Sequence, residues 1–170
     1  MQGAAFRRAC MAHGKRSVQF TMRYGFIGCG NMGGAVARAV CRGAGAGQGG
    51  DVDRTPGHAP AQAPPQGGHA GGNARVAREC GYIFLGVKPQ MMADMLDGIA
   101  DILAARQTPF VLVSMAAGLS MARIRQMAGD AYPVIRIMPN TPVAVGAGMV
   151  QYCAAGVTPE QMSEFLQAMA

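Results

Sequence analysis

The chain has 170 residues, which suits one domain, or one domain with a fragment of another. Half of the residues are hydrophobic and 14% are charged, so the composition supports a sizeable core, and no apolar run approaches the roughly 18 residues that predict a membrane span. The formal net charge of +6 favours anionic ligands, but the basic residues are scattered, which argues against a nucleic-acid partner and for a small phosphate-bearing molecule.

The cysteines and the first residues of the chain indicate a cellular compartment. The five cysteines form no C-x-x-C pair and no His/Cys cluster with the spacing of metal ligands, so we expect a reducing compartment, the cytoplasm, and no metal. Residues 1–21 are basic but lack the continuous apolar stretch of a secretory signal. We predict a disordered extension upstream of a natural start at Met22, with an organelle transit peptide as the alternative.

The first predicted strand and helix surround a run of glycines. Arg23–Gly28 is a short apolar strand that ends in glycine, and a helix is predicted from Asn31 to about Arg42 because its aliphatic residues recur at helical spacing. From Cys41 to Arg75, in contrast, there is no Leu, Ile, Phe or Met. We therefore predict an irregular low-complexity loop over residues 43–72, with a brief strand near Asp51 to Asp53 as its one regular part.

The second half of the chain alternates between strand and helix patterns. Helical patterns occupy Gln90–Ala105, where the methionines from Met91 onward are interpreted as core residues, then Ser120–Ala128, and finally the segment that begins at Thr158 with a capping box. Continuously apolar strands between helices predict an α/β fold of Rossmann type over residues 22–170, a mostly parallel sheet with helices on both faces. The predicted strands of this half are Tyr82–Val87, Phe110–Ser114, Pro133–Met138 and Met149–Cys153.

The run Gly28–Gly33 (GCGNMG) is a G-x-G-x-x-G motif between a predicted strand and a predicted helix. Gly28 permits the tight turn, Gly30 lets the backbone approach a pyrophosphate, and Gly33 lets the helix pack close to the strand. The helix N-terminus offers N–H groups and a positive dipole end to the phosphates. In this context the motif predicts a dinucleotide site, whereas alone it would be weak.

The end of the second strand decides between two cofactors. Asp51 or Asp53 stands where a carboxylate would bind the ribose 2′-hydroxyl of NAD, and Arg54 and Thr55 could instead bind the 2′-phosphate of NADP. We favour NADP, with NAD as the alternative, and a solvated loop arginine is the competing interpretation of Arg54.

Four motifs in order resemble pyrroline-5-carboxylate reductase. They are Gly25–Gly33 (GFIGCGNMG), Ile83–Gln90 (IFLGVKPQ), Val113–Leu119 (VSMAAGL) and Arg136–Pro142 (RIMPNTP). The resemblance implies NAD(P)H-dependent reduction of 1-pyrroline-5-carboxylate to L-proline, a step of proline biosynthesis with a small-molecule substrate. Hydride transfer to a C=N bond asks the protein mainly for positioning and exclusion of water, and no catalytic side chain is assigned.

The resemblance also implies site residues, each at the carboxyl end of a predicted strand. The pyrophosphate loop would be Ile27, Gly28, Cys29, Gly30, Asn31 and Met32. The adenosine ribose would meet Arg54 and Thr55, and Asn73 would contact the cofactor. The nicotinamide-ribose side would be Val87, Lys88, Pro89, Met115, Ala116 and Ala117, and the substrate-side wall would be Pro139, Asn140 and Thr141. A solvated lysine and a plain strand-exit turn are the competing interpretations of Lys88 and of the wall.

Two departures from the family pattern bear on activity. Residues 43–72 carry no pattern for the strand and helix expected there, which suggests an insertion or a local sequence error. The family's carboxy-terminal helical domain, which forms its homo-oligomers and most of its substrate pocket, has no counterpart in this chain, so we expect weak cofactor binding and little turnover. The alternatives are another NADP-dependent dehydrogenase of the 3-hydroxyacid type and a non-catalytic dinucleotide-binding module.

Overall fold

The computed structural model describes residues 7–8, 23–43, 52–53, 72–129 and 132–169. Within these ranges, seven strands form one sheet in the order β1-β7-β6-β5-β4-β2-β3. The strands are β1 (Arg7–Arg8), β2 (Tyr24–Ile27), β3 (Val52–Asp53), β4 (Tyr82–Leu85), β5 (Val111–Ser114), β6 (Val134–Pro139) and β7 (Val150–Ala155). The pairs from β3 through β2, β4 and β5 to β6 are parallel, and β7 and β1 add antiparallel pairs at one edge. The predicted mostly parallel sheet is confirmed.

Helices cover both faces of this sheet. They are α1 (Asn31–Gly43), α2 (Asn73–Glu79), α3 (Met92–Asp97), α4 (Ala100–Ala104), α5 (Met121–Ala128) and α6 (Pro159–Ala168), with 3₁₀ turns at Pro89–Met91 and Thr141–Val145. Helices α1 and α6 pack on one face, and α2, α3, α4 and α5 pack on the other. No helix in the described ranges has both the length and the apolar character needed to cross a bilayer.

Alternate residues of each strand supply two separate cores. Phe26 and Phe84 stack with ring centroids 4.4 Å apart on the α1 and α6 face, whereas Ile83 and Leu85 belong to the opposite cluster. All four residues of β2, β4 and β5 are buried. Continuously apolar strands therefore follow from burial on both faces, as the sequence indicates.

The helix starts predicted at Ser120 and Thr158 are confirmed. The Ser120 side chain accepts a hydrogen bond from the backbone N–H of Arg123 and caps α5. Thr158 and Gln161 form the reciprocal capping box at the start of α6, with Pro159 at the first helical position. Local side-chain chemistry fixes both starts, and for that reason the sequence alone reveals them.

The single helix predicted over Gln90–Ala105 is wrong. The segment is a 3₁₀ turn followed by α3 and α4, which are separated near Gly98. Met91 belongs to the 3₁₀ turn that starts at Pro89, and it is 44% exposed rather than part of the core. Met92 is fully buried as expected. The apolar spacing misses the break because Ile99 lies beyond Gly98 and is buried as well, so the hydrophobic stripe continues across it.

Two short strands fall in segments for which the sequence predicts irregular structure. Val52–Asp53 forms β3, at the place where a brief strand was expected, and pairs in parallel with β2. Arg7–Arg8 forms β1 against β7, within the predicted disordered extension. The predictions for the rest of residues 1–21 and 43–72 concern positions that, apart from Gly43 and Gly72, lie outside the described residues.

Candidate dinucleotide-binding site

The carboxyl ends of the parallel strands lie in one row. Ile27 pairs with Leu85, Leu85 with Ser114, and Ser114 with Arg136, while Asp53 pairs with Ile27 on the other side. The loops that follow β2, β4 and β5 therefore leave the sheet at the same level. Because β2 connects through α1 to β3 on one side and pairs with β4 on the other, the chain reverses its direction of winding at β2. Open α/β sheets bind ligands at such a point.

The glycine loop packs directly against the loop that follows β4. Gly28 has φ +89°, and a Cβ there would lie 2.8 Å from the carbonyl carbon of Gly86 and 2.9 Å from the backbone nitrogen of Val87. A Cβ on Gly33 or on Gly86 would overlap the carbonyl oxygen of Gly28. Close backbone contact between these segments therefore requires glycine at all three positions.

Gly30 differs from these neighbours. It is exposed, its φ is not positive, and a Cβ there would have no neighbour within 4 Å. Nothing in the described protein requires glycine at this position, but a ligand lying on the loop would. The first turn of α1 also carries no acidic residue, so the positive end of the helix dipole is not neutralised there. Both observations fit an anionic ligand above Cys29–Met32.

The side chains of the loop after β4 differ in their exposure. The backbone N–H of Gly86 donates to the carbonyl oxygen of Ile27 at 2.8 Å, which ties this loop to β2. Val87 is partly buried, and Lys88 and Pro89 are exposed. The carbonyl oxygen of Lys88 accepts from the N–H of Met91 at 2.9 Å, so the 3₁₀ turn fixes the backbone of Lys88. The exposure of Lys88 fits both interpretations of this residue.

The loop after β5 is fixed from below by a buried serine. The Ser114 hydroxyl, which is fully buried, accepts from the backbone N–H of Ala116 at 3.3 Å. Met115 is partly buried, Ala116 is buried and Ala117 is exposed at the surface of the loop. The sequence interpretation named the three residues after Ser114 but not the serine, although a hydroxyl two residues before a backbone N–H was an available local signal.

Asn73 carries an acceptor without a partner. It is the first residue of α2, whose N-terminus lies at the carboxyl edge of the sheet because the helix leads into the start of β4. Its Oδ1 atom is buried and accepts no hydrogen bond from the described residues. A buried acceptor of this kind is costly unless a ligand or water supplies a donor. The site therefore fits a ligand with a hydroxyl or amide group beside α2.

The predicted substrate-side wall is arranged by a backbone bond. Pro139 is buried at the end of β6, and the Oδ1 atom of exposed Asn140 accepts from the N–H of Met149 at 2.8 Å. The Asn140 carbonyl oxygen also accepts from the N–H of Val143. The Asn140 side-chain oxygen thus closes the loop between β6 and β7. Thr141 begins the 3₁₀ turn, and its side chain lies outside the described part of the chain.

Arg54 and Thr55 follow β3 directly but lie outside the described residues, so the predicted 2′-phosphate site stays a prediction.

Arg38 was not singled out by the sequence, yet its Nη1 atom approaches the first turn of α1 beside Gly34. An i, i+4 relation between an arginine and a glycine is the signal that points to it. No group of three or more potential metal ligands occurs among the described residues.

A strand, a glycine loop and a helix at the reversal point of a mostly parallel sheet define a Rossmann-type nucleotide-binding domain. Residues 23–118 match the family described as NADP oxidoreductase, coenzyme F420-dependent, and the chain belongs to this family. A nicotinamide dinucleotide is thus the cofactor class that the family indicates.

The similar curated proteins are named pyrroline-5-carboxylate reductase. The chain is 34% identical to the one from Escherichia coli (strain K12) over 151 residues, which is 85% of this chain and 54% of the relative. It is 43% identical to the one from Corynebacterium melassecola over 77 residues, 45% of this chain and 28% of the relative. The resemblance expected from the four motifs is confirmed, and the chain spans about half, or less, of the length of these relatives.

Solved structures of similar fold include two reductases of this name. The pyrroline carboxylate reductase of Plasmodium falciparum, solved with NADP bound, has a TM-score of 0.72 at 24% identity and covers 89% of this chain and 56% of its own. A pyrroline-5-carboxylate reductase from Coxiella burnetii has a TM-score of 0.69 at 24% identity, with coverage of 88% and 57%. At this identity the likeness concerns the fold, and it confirms the Rossmann-type architecture.

Proposed function

We propose that this chain is the dinucleotide-binding part of an NADP-dependent reductase that converts 1-pyrroline-5-carboxylate to L-proline. The observation that carries the proposal is the common level of the loops after β2, β4 and β5, which hold three of the four reductase motifs. Relatives of that name match 85% of the chain, which supports the substrate. We assign the domain to residues 22–170.

In this proposal the glycine loop binds the pyrophosphate. The N–H groups at the start of α1 face the phosphates, and exposed Gly30 allows the closest approach. The residues of this part are Ile27, Gly28, Cys29, Gly30, Asn31 and Met32. The Oδ1 atom of Asn73 accepts from a ribose hydroxyl, which supplies the donor that the described protein does not provide. Arg54 and Thr55 bind the 2′-phosphate.

The loops after β4 and β5 line the nicotinamide end. Val87, Lys88 and Pro89 stand on one side, and Met115, Ala116 and Ala117 on the other, with their backbones fixed by the Gly86 and Ser114 hydrogen bonds. Pro139, Asn140 and Thr141 form a wall on the substrate side. When bound, the reduced cofactor supplies a hydride to the carbon of the C=N bond. The residues of this chain orient the two reactants and exclude water.

Pathway, location and assembly are properties of the whole protein. Proline biosynthesis in the cytoplasm is the pathway and location that the proposed reaction implies. Homo-oligomers would form through a further domain of the kind that the longer relatives have, since the chain matches about half of their length. The proposed partners are the small-molecule substrate and the dinucleotide, with no nucleic acid and no membrane.

The proposal is tested by following oxidation of NADPH by absorbance with 1-pyrroline-5-carboxylate as the acceptor. A 3-oxo acid serves as the control acceptor, because it is the substrate class of the competing 3-hydroxyacid dehydrogenase reaction. We expect oxidation with the pyrroline substrate only, at a slow rate. Oxidation with the control acceptor alone would replace the proposal by the dehydrogenase alternative. NADPH binding without any oxidation would reduce it to the non-catalytic module.

The cofactor preference is tested at Arg54. We expect Arg54→Ala to weaken NADPH binding about tenfold, the effect of one charge-assisted hydrogen bond, and to leave NADH binding unchanged. The measurement is a titration of each dinucleotide by nicotinamide fluorescence. Equal affinities of the unmodified chain for NADPH and NADH would contradict the 2′-phosphate assignment.

A further inference from the structure

Arg38 lies in the third turn of α1, and its side chain runs back toward the start of the helix. Its Nη1 atom is 3.7 Å from the position that a Cβ would take on Gly34. The carbonyl oxygen of Cys29, within the glycine loop, is 3.7 Å from the same point. Helical side chains tilt toward the N-terminus, which brings a residue close to the one four positions earlier. The guanidinium therefore lies beside the loop that we assign to the pyrophosphate.

Polar contacts with the described residues do not account for this position. Arg38 is partly buried, yet it makes no hydrogen bond or ion pair with any residue in the described ranges. Arg42, one turn later on the same helix, instead donates to the carbonyl oxygen of Val143 at 3.1 Å. Arg106 donates to the carbonyl oxygens of Ala77 and Cys80. Arg38 thus differs from these two arginines in having its donors available.

The surroundings of Arg38 favour an anion. The first turn of α1 contains no acidic residue that could pair with the guanidinium. Gly34 has no side chain between the guanidinium and the loop, and any substituent at this position would contact Nη1. A positive helix end, a position without a side chain and an available guanidinium thus occur together near the start of α1. Arginine binds phosphate oxygens through two parallel N–H groups more effectively than a point charge does.

We propose that Arg38 is a cofactor-binding residue whose guanidinium donates hydrogen bonds to the pyrophosphate of the dinucleotide across Gly34. This rests on the dinucleotide site of the proposed function and adds to it a ligand that lies outside the four motifs. The pyrophosphate is shared by NADPH and NADH, so the contact contributes equally to the binding of both. This equality separates Arg38 from a residue that contacts the 2′-phosphate.

The test is a titration of the full chain with NADPH and with NADH, in the unmodified form and as Arg38→Ala, Arg38→Lys and Arg78→Ala. Arg78 is the matched control, because it is an exposed helical arginine in the last turn of α2. This turn lies at the amino ends of the strands, away from the glycine loop. We expect Arg38→Ala to weaken both dinucleotides about tenfold. Arg38→Lys, which keeps the charge, should lose less, and Arg78→Ala should bind as the unmodified chain does.

The outcomes separate this inference from the proposed function. Three results would overturn the pyrophosphate contact while leaving the dinucleotide site intact. They are an unchanged affinity of Arg38→Ala for both dinucleotides, a loss of affinity confined to NADPH, and an equal loss of affinity in Arg38→Lys and Arg38→Ala. An unmodified chain that binds neither dinucleotide would overturn both. Thermal unfolding of each variant shows whether the helix is intact, and alanine at position 38 favours it. A smaller dependence of binding on salt in Arg38→Ala is a second expected readout.

Discussion

Gly30 and Gly33 of the glycine motif differ in the space around them. Gly33 has no space for a side chain because the carbonyl oxygen of Gly28 occupies it. Gly30, in contrast, has open space around it, and a Cβ there would meet no described atom within 4 Å. The sequence motif predicts both as one signature, but packing of the backbone requires glycine at position 33, whereas Gly30 serves ligand binding in the site that we propose.

This difference gives a matched pair of substitutions. We expect Gly33→Ala to destabilise the fold by about 1–3 kcal/mol, because its methyl group overlaps backbone that cannot move easily. Gly30→Ala should change stability by no more than about 0.5 kcal/mol, and it should weaken NADPH binding about tenfold by blocking the close approach of the pyrophosphate. Urea unfolding and fluorescence titration measure the two effects. The reverse pattern would show that the open space at Gly30 is not a ligand position.

The contacts of Arg106 could not be predicted from its neighbours in the sequence. Its guanidinium donates to the carbonyl oxygens of Ala77 and Cys80 and lies 4.8 Å from the ring centroid of Phe110. Burial lowers its pKa. The arginine thereby satisfies carbonyls at the end of α2, more than 20 residues away in sequence. Nothing in the local pattern of residues predicts such a contact, because it depends on where the chain returns.

Two residues of helix α6, Gln161 and Phe165, attach it to the sheet. The capping box of Thr158 and Gln161 starts it, and Phe165 packs against the rings of Tyr82 and Phe84. The Tyr82 hydroxyl donates to the carbonyl oxygen of Gln161 at 2.7 Å. The start of the helix was predictable from local sequence, but its docking on Tyr82 was not.

The capping box can be tested by itself. We expect Thr158→Ala to lower the free energy of unfolding by about 1 kcal/mol, because the N–H of Gln161 loses its acceptor at the helix start. Thr158→Ser is the control, since it keeps the hydroxyl, and should retain most of the stability. Chemical denaturation with far-ultraviolet circular dichroism measures both variants. An alanine variant as stable as the parent would mean that tertiary packing alone fixes the start of α6.

At the scale of the whole molecule, two tyrosines form a buried polar centre at the amino ends of the strands. The rings of Tyr24 and Tyr82 stack at 5.1 Å on the face covered by α6. Burial raises the pKa of both tyrosines far above the usual value, and the nearby Glu164 carboxylate raises them further. The folded protein therefore keeps both hydroxyls protonated at pH values where an unfolded chain would lose them.

The sign of the resulting pH dependence follows from these raised pKa values. Below pH about 10 the tyrosines are neutral in both states, and their contribution to stability is complete. As the pH rises further, the unfolded chain releases these protons and the folded chain does not, so the free energy of unfolding falls. We expect the urea midpoint to drop more steeply above that pH in the parent than in a Tyr24→Phe, Tyr82→Phe double variant. Identical slopes would contradict the buried, protonated state of these tyrosines.

Several features that depend on neighbouring residues could be predicted from the sequence alone. Continuous apolar strands, the caps at Ser120 and Thr158 and the glycine turn at Gly28 act within a few residues, so their pattern is visible in the chain. The break of the predicted helix near Gly98 escaped because the apolar stripe continues across it to buried Ile99.

The identity of the loops that meet, and of the polar groups that remain available, depends on the tertiary structure. The alignment of Ile27, Leu85 and Ser114 in one row arises from strand pairing between distant segments. The unsatisfied acceptor of Asn73 and the available guanidinium of Arg38 are likewise defined by what the rest of the fold leaves beside them. Partners and space are properties of the packed chain, since they depend on residues that are far apart in sequence and close only after folding.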